Sequence, residues 1–132
     1  MMPFIESDNK DKLKIYYDVY CEDQDDTVVL IHPIGGNIEI WNNEISLISK
    51  KNLRIIAYEL RGHNRSNMGT SNSFTISDLV NDLEKLLAKL SVKKCTLIGH
   101  SIGCSIHLYM LKMSTKHRSN NIYQCVFCSN TR

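Results

Sequence analysis

The stretch Lys94-Cys95-Thr96-Leu97-Ile98-Gly99-His100-Ser101-Ile102-Gly103-Cys104 decides the fold of this chain. A short apolar run meets Gly-x-Ser-x-Gly and then passes into a helical pattern, which predicts a strand, a sharp turn and a helix. A serine at such a tip takes a strained backbone conformation, and Gly99 and Gly103 leave room because neither carries a side chain. We expect Ser101 to be exposed as a nucleophile. The amide of Ile102, opening the helix, is then expected to face the oxygen of an attacked carbonyl.

The remaining strands follow from apolar runs on either side of this stretch. Residues 27–31 form a continuous β-branched run, typical of a strand covered on both faces in a parallel sheet. Residues 53–60 predict a second buried strand, and residues 122–128 predict a last one after the helix. Ahead of them, residues 14–21 alternate as a strand does, Phe4 and Ile5 begin a partner strand, and the acidic turn 22–26 ends this hairpin.

Three helices are predicted between the buried strands. Apolar residues at spacings of three and four mark one face of a helix from Asn37 to about Lys50: Ile38, Trp41, Ile45 and Ile48. Thr75 to Asp78 has the form of a capping box, and an apolar stripe continues behind it: Ile76, Leu79, Val80, Leu83, Leu86, Leu87 and Leu90. The helix from Ser101 to about Met113 is apolar nearly all round, so we expect it to be central and well covered. The order gives three β-α-β units, an α/β architecture with a mostly parallel sheet flanked by helices.

Length and charge limit the classes of function. The 132 residues, 42% of them hydrophobic, are enough for one modest core. The net charge of +2 hides an asymmetry, because residues 1–84 hold all 14 carboxylates and residues 85–132 hold only basic groups. These basic residues are scattered without interleaved aromatics, which favours a solvated surface over nucleic-acid binding. Without a membrane-length apolar run or a signal pattern, we expect a soluble cytoplasmic protein that does not bind membranes.

The five cysteines predict reduced thiols. They form an odd set without a secretory signal, and burial is the simplest interpretation. Cys125 and Cys128 have the spacing of a redox or zinc pair, but residues three apart in a strand point to opposite faces. We therefore predict no metal site and no cofactor.

The segment His32-Pro33-Ile34-Gly35-Gly36-Asn37 gains meaning in combination with the serine turn. It leaves the first buried strand and enters a helix. An oxyanion hole needs two N–H groups that converge from different loops. Ile34 is the candidate for the second donor, since Pro33 has no N–H. Taken alone, without the serine turn, the segment is better explained as a plain glycine-rich loop.

Taken together, the motifs resemble those of the α/β-hydrolase family. HPIGGN follows the first buried strand, ELRGHNRS the second and GHSIG the third. The family's usual His-Gly appears as His32-Pro33, its usual Asp before Arg-Gly appears as Glu59, and Asn64 replaces a common Gly. The closing Ser129-Asn130-Thr131 resembles the corresponding turn of enol-lactonase and haloperoxidase-like hydrolases. The resemblance covers essentially the whole chain and implies hydrolysis of an ester, a lactone or a related small carbonyl substrate.

The resemblance also implies a catalytic acid and a histidine after the serine, and neither is found where the family places it. No Asp or Glu follows Ser101. Three histidines are poorly placed to act as the base: His107 on the nucleophile helix, His117 after it and His100 beside Ser101. His32 and His63, on loops at the same sheet edge, are the only plausible substitutes. We therefore expect a single incomplete hydrolase domain over residues 1–132, the N-terminal part, ending after the strand that follows the nucleophile helix.

Three interpretations remain open at this point. The chain is a serine hydrolase that is catalytically incomplete, a non-catalytic module that keeps the fold to bind a ligand or to self-associate, or one part of a domain completed by a second polypeptide. The last strand is expected to leave an open apolar edge, through which self-association or complementation would occur.

Overall fold

The computed structural model describes residues 3–7, 10–116 and 122–129, with side-chain detail up to residue 112. Within these residues, six strands and three α-helices follow one another: β1 (Phe4–Glu6), β2 (Lys14–Tyr20), β3 (Thr27–Ile31), α1 (Asn42–Ile48), β4 (Arg54–Tyr58), α2 (Ile76–Lys89), β5 (Lys94–His100), α3 (Ile102–Lys116) and β6 (Ile122–Ser129). The predicted order of elements is confirmed. The turn predicted at residues 129–131 lies outside the described residues, apart from Ser129 at the end of β6.

The strands form one sheet in the order β1-β2-β4-β3-β5-β6. β3 pairs in parallel with both β4 and β5, and β6 pairs in parallel with β5. β2 is antiparallel to β4 and to β1, where Ile5 lies opposite Ile15. The N-terminal hairpin and the mostly parallel sheet are therefore confirmed, and each α-helix connects two parallel strands.

The central strand β3 explains why the sheet is covered on both faces. All five of its residues are buried. Val29 and Ile31 belong to the core under α2 and α3, whereas Val28 and Leu30 belong to the core under α1. Successive side chains of a strand point to opposite faces, so a continuous apolar run needs helices on both sides.

The helix predicted from Asn37 to Lys50 is broken into three pieces. A 3-10 turn covers Ile38–Trp41, α1 covers Asn42–Ile48, and a second 3-10 turn covers Ser49–Lys51. The buried face of this segment is the predicted one, with Ile38, Trp41 and Ile45 in the core. The prediction of one continuous helix is wrong because isoleucine, asparagine and serine, which dominate the segment, have low helix propensity.

Helix α2 begins at the predicted capping box. The Thr75 hydroxyl accepts a hydrogen bond from the Asp78 amide, and the Asp78 carboxylate accepts one from the Thr75 amide. The predicted stripe is buried at its centre and half-buried at its two ends. Asp82 is buried as well, although it is a charged residue within the stripe.

Up to residue 112, where side chains are described, helix α3 is covered on one face only. Gly103, Ile106 and Met110 are buried against the rest of the chain. Leu108 is 63% exposed, and Tyr109 beside it is also exposed. The expectation that α3 is covered all round is therefore wrong. Its apolar residues surround the helix, but the described residues pack against only one side of it.

Among the described helices, none combines the length and the apolar character that crossing a membrane requires.

Candidate active site

Ser101 lies at the tip of a sharp turn between β5 and α3. Its backbone φ is +57°, in the left-handed region that residues other than glycine rarely adopt, and the residue is exposed. A Cβ atom on Gly99 would lie 2.5 Å from the backbone carbon of Gly103. One on Gly103 would lie 2.8 Å from the carbonyl oxygen of Ile31. The turn therefore requires glycine two residues before and two residues after the serine.

The second candidate donor lies on the loop that leaves the neighbouring strand. Ile31 and Gly99 are register partners on the parallel strands β3 and β5, so the loops that follow them meet at the same sheet edge. Pro33 begins a tight turn in which the Gly36 amide donates to the Pro33 carbonyl over 2.9 Å, with Gly35 at φ +83°. This is the conformation that requires glycine at the third position of a type II turn. Ile34 in this turn is 53% exposed.

The Ile34 and Ile102 amides both lack a hydrogen-bond acceptor among the described residues. Ile34 donates no hydrogen bond to any described residue. Ile102 is the first residue of α3, where a backbone N–H has no acceptor within the helix. A positive helix end adds to the attraction for a negative oxygen at this point.

His32 is wholly buried and uses both ring nitrogens. Its Nε2 accepts a hydrogen bond from the Leu60 amide over 3.0 Å, and its Nδ1 lies 2.7 Å from the carbonyl oxygen of Pro33. Since a carbonyl oxygen only accepts, Nδ1 carries the proton. Burial lowers the pKa of His32, so the ring is neutral near neutral pH.

His63 is bound in the same way from the opposite loop. Its Nε2 accepts a hydrogen bond from the Gly35 amide over 2.9 Å, and its Nδ1 lies 3.0 Å from the carbonyl oxygen of Arg61. The rings of His32 and His63 are 5.1 Å apart, centroid to centroid. The two histidines therefore lie together at the predicted edge, but their hydrogen bonds go to backbone groups rather than to Ser101.

The other histidines are not arranged as a base for Ser101. His107 is wholly buried, neither of its ring nitrogens has a hydrogen-bond partner in the described part of the chain, and burial lowers its pKa. The Nδ1 atom of His100 is buried without a partner as well. His117 lies outside the described residues.

Comparison with known proteins decides the family. The family model for the α/β-hydrolase fold matches residues 26–130, which is most of the chain. This chain belongs to the α/β-hydrolase family. The three motifs that predicted the resemblance all lie within the matched range.

Several hydrolases are similar to this chain. The putative carbamate hydrolase RutD of Variovorax paradoxus is 26% identical over 98 residues, which are 74% of this chain and 37% of that protein. A solved structure from work on carboxylesterases of Nitrososphaera gargenis is 40% identical, with a TM-score of 0.81 over 98% of this chain and 47% of that one. The enol-lactonase of Burkholderia xenovorans LB400 shares the fold at 21% identity, with a TM-score of 0.74 over 93% of this chain and 45% of that one. This chain thus spans less than half the length of each.

A buried carboxylate holds the loop of residues 59–66, which follows β4. Glu59 is wholly buried and accepts hydrogen bonds from the Asn64 side chain, the Arg65 amide and the Arg65 guanidinium. Asn64 itself has φ +47°, the left-handed conformation in which asparagine is tolerated better than most residues. Glutamate therefore supports this turn at a position where the family commonly has aspartate.

An ion pair joins the same loop to α2, and only one feature of the sequence indicated it. Arg61 binds Asp82 through two hydrogen bonds of 2.7 Å each. Both side chains are largely buried, and burial raises the pKa of Asp82 although Arg61 opposes that shift. A charged residue inside the apolar stripe of α2 was the available signal, because such a residue is buried only when it is paired.

Proposed function

We propose that this chain carries the serine nucleophile of a hydrolase that acts on a carboxylic ester, a lactone or a related carbonyl compound. Ser101 attacks the carbonyl carbon, and the Ile34 and Ile102 amides bind the oxygen that becomes negative. The observation that carries the proposal is the φ of +57° at an exposed serine between β5 and α3. Strain of this kind persists only where the surrounding structure enforces it, and it is concentrated at functional sites.

The substrate class is supported by the chemistry of the similar proteins. Among them are carboxylesterases, an enol-lactonase and a putative carbamate hydrolase. All three activities begin with attack on a carbonyl carbon that carries a heteroatom leaving group. An exposed serine hydroxyl suits that step, and the Ile34 and Ile102 amides follow β3 and β5 at the same sheet edge. We therefore assign the class and not an individual substrate.

We also propose that this chain is catalytically incomplete on its own. No carboxylate follows Ser101 in the sequence, and both nitrogens of His32 and His63 are bound to backbone groups. A serine hydroxyl without a base is a poor nucleophile, and in a serine protease loss of the triad costs about 10⁶ in turnover. The expected behaviour is slow acylation by an activated ester, followed by very slow release of the acyl group.

The test is the release of p-nitrophenol from p-nitrophenyl acetate and longer acyl esters. Wild type is expected to release at most one equivalent per chain in a slow burst, and Ser101→Ala is expected to release none above background. Ser105→Ala is the matched control, because Ser105 is an exposed serine on α3 one turn further along. Equal traces for wild type and Ser101→Ala would refute the nucleophile assignment.

A non-catalytic binding or self-associating module is the second candidate. The observation that favours it is the exposure of two large side chains on α3, Leu108 at 63% and Tyr109 at 37%, together with the position of β6 at the end of the strand order. Size-exclusion chromatography with light scattering distinguishes the two. A monodisperse oligomer that shows no burst favours the module, or a domain completed by another chain. A monomer with the burst favours the enzyme.

A further inference from the structure

We propose that His32 and His63 are positioning residues, a reciprocal pair that fixes the loop carrying the Ile34 amide against the loop of residues 59–66. The inference rests on the proposed function for the role of Ile34, but its geometry stands independently. Each histidine belongs to one loop and accepts a backbone N–H from the other loop. Neither histidine transfers a proton in this role.

The crossing bonds define the pair. The Gly35 amide donates to His63 Nε2 over 2.9 Å, and the Leu60 amide donates to His32 Nε2 over 3.0 Å. Each Nδ1 in turn binds a carbonyl of its own loop, Pro33 for His32 and Arg61 for His63. Four hydrogen bonds therefore fix both rings in the tautomer with the proton on Nδ1.

The position of Gly35 makes this bond relevant to the oxyanion. The peptide group that joins Ile34 to Gly35 carries the N–H that His63 accepts. The Pro33 carbonyl, which belongs to the peptide group that carries the Ile34 N–H, accepts a hydrogen bond from the Gly36 amide. The backbone is thus restrained on both sides of Ile34, while the Ile34 amide donates to no described residue. A donor is effective in catalysis when it is oriented before the charge develops.

The surrounding charges do not compete for these nitrogens. Glu59, the carboxylate whose charge acts on His32, is satisfied by Asn64 and Arg65. Protonation of Nε2 would remove the acceptor and place an N–H against an N–H in each crossing bond. It would also place positive charges on two rings whose centroids are 5.1 Å apart. The pair is therefore intact only while both rings are neutral.

Nitrogen-15 NMR of the full chain tests the pair without any need for activity. Long-range ¹H–¹⁵N correlation is expected to show His32 and His63 with Nδ1 protonated and Nε2 unprotonated. The same results are expected in Ser101→Ala, so failure of the proposed nucleophile leaves this test unaffected.

Variants separate positioning from general stability. His63→Ala is expected to abolish protection of the Gly35 amide from hydrogen exchange, with the Gly36 amide, bound within the turn, still protected. His63→Gln supplies an amide oxygen at a similar reach and is expected to restore that protection. If Ser101 reacts, His63→Ala slows acylation by at most about 10²-fold, the cost of misplacing a group by about 1 Å. A protonated Nε2 in either ring, or a Gly35 amide that His63→Ala leaves unchanged, would overturn the inference.

Discussion

Gly103, in the first turn of α3, faces the last residue of β3 so closely that a Cβ atom on it would lie 2.8 Å from the carbonyl oxygen of Ile31. This contact brings the start of the helix that follows Ser101 against the strand whose next residues form the Ile34 turn. The relative position of the candidate nucleophile and of both candidate amides depends on it. A Cβ atom on Gly103 would therefore disturb the positions of these groups.

Gly103→Ala is expected to destabilise the fold and to displace the serine turn. Overpacking lowers the free energy of unfolding by about 1–3 kcal/mol, and the better helix propensity of alanine offsets about 1 kcal/mol of this loss. We therefore expect a net loss of up to about 2 kcal/mol in the free energy of unfolding, measured by urea denaturation. Gly35→Ala is the comparison, since a Cβ there meets nothing within 4 Å and the cost comes from φ +83° alone. A Gly103→Ala variant more stable than wild type would show that the helix moves away from β3 without cost.

Ser101→Gly is expected to stabilise the protein. The φ of +57° at Ser101 costs a residue with a side chain about 1–3 kcal/mol, and glycine adopts it freely. The melting temperature should rise, measured by circular dichroism. Ser105→Gly is the matched control, because the same change inside α3 should cost about 1 kcal/mol. A fall in both melting temperatures would contradict the presence of strain at Ser101.

The sequence predicted those parts of the fold that local patterns determine. The capping box at Thr75, the doubly buried run of β3 and the turn around Ser101 each depend on residues close together in the chain. The break in the segment around α1 was missed because its apolar spacing outweighed the low helix propensity of its residues. The bond from Gly35 to His63 was missed for another reason, since its partners are 28 residues apart and no local pattern records which backbone amide a histidine accepts.

Arg61→Met is expected to destabilise the protein more than the substitution of an exposed residue does. It would leave the Asp82 carboxylate buried without its partner, which costs about 3–5 kcal/mol. Such a loss is close to the whole stability of a small domain, so the variant is compared with Arg61→Met combined with Asp82→Leu. The double variant removes both charges and should recover most of the loss in urea denaturation. A double variant no more stable than the single one would contradict this assignment.

His107 is expected to make the protein sensitive to mild acid. Burial lowers the pKa of this ring in the folded chain, whereas in the unfolded chain it titrates near about 6.5. Below that pH the unfolded state binds a proton that the folded state does not, so stability falls as the pH falls. The difference in unfolding free energy between wild type and His107→Leu should widen by up to about 1.4 kcal/mol per pH unit in this range.

Two variants of His107 separate titration from desolvation. His107→Leu also removes two buried nitrogens without partners, so it should be more stable than wild type at neutral pH, by about 1 kcal/mol or more. His107→Gln does not titrate but remains polar, so it should lose the acid sensitivity without that gain. Parallel pH profiles for all three proteins would show that His107 is not neutral and buried.

The most direct measurement of the central claim is peptide mapping after treatment with a fluorophosphonate. The account predicts slow, stoichiometric addition of one phosphonyl group to the peptide that contains Ser101, with the same addition in Ser105→Ala and none in Ser101→Ala. Addition at another serine, or equal addition in wild type and Ser101→Ala, would contradict the assignment of Ser101 as the nucleophile.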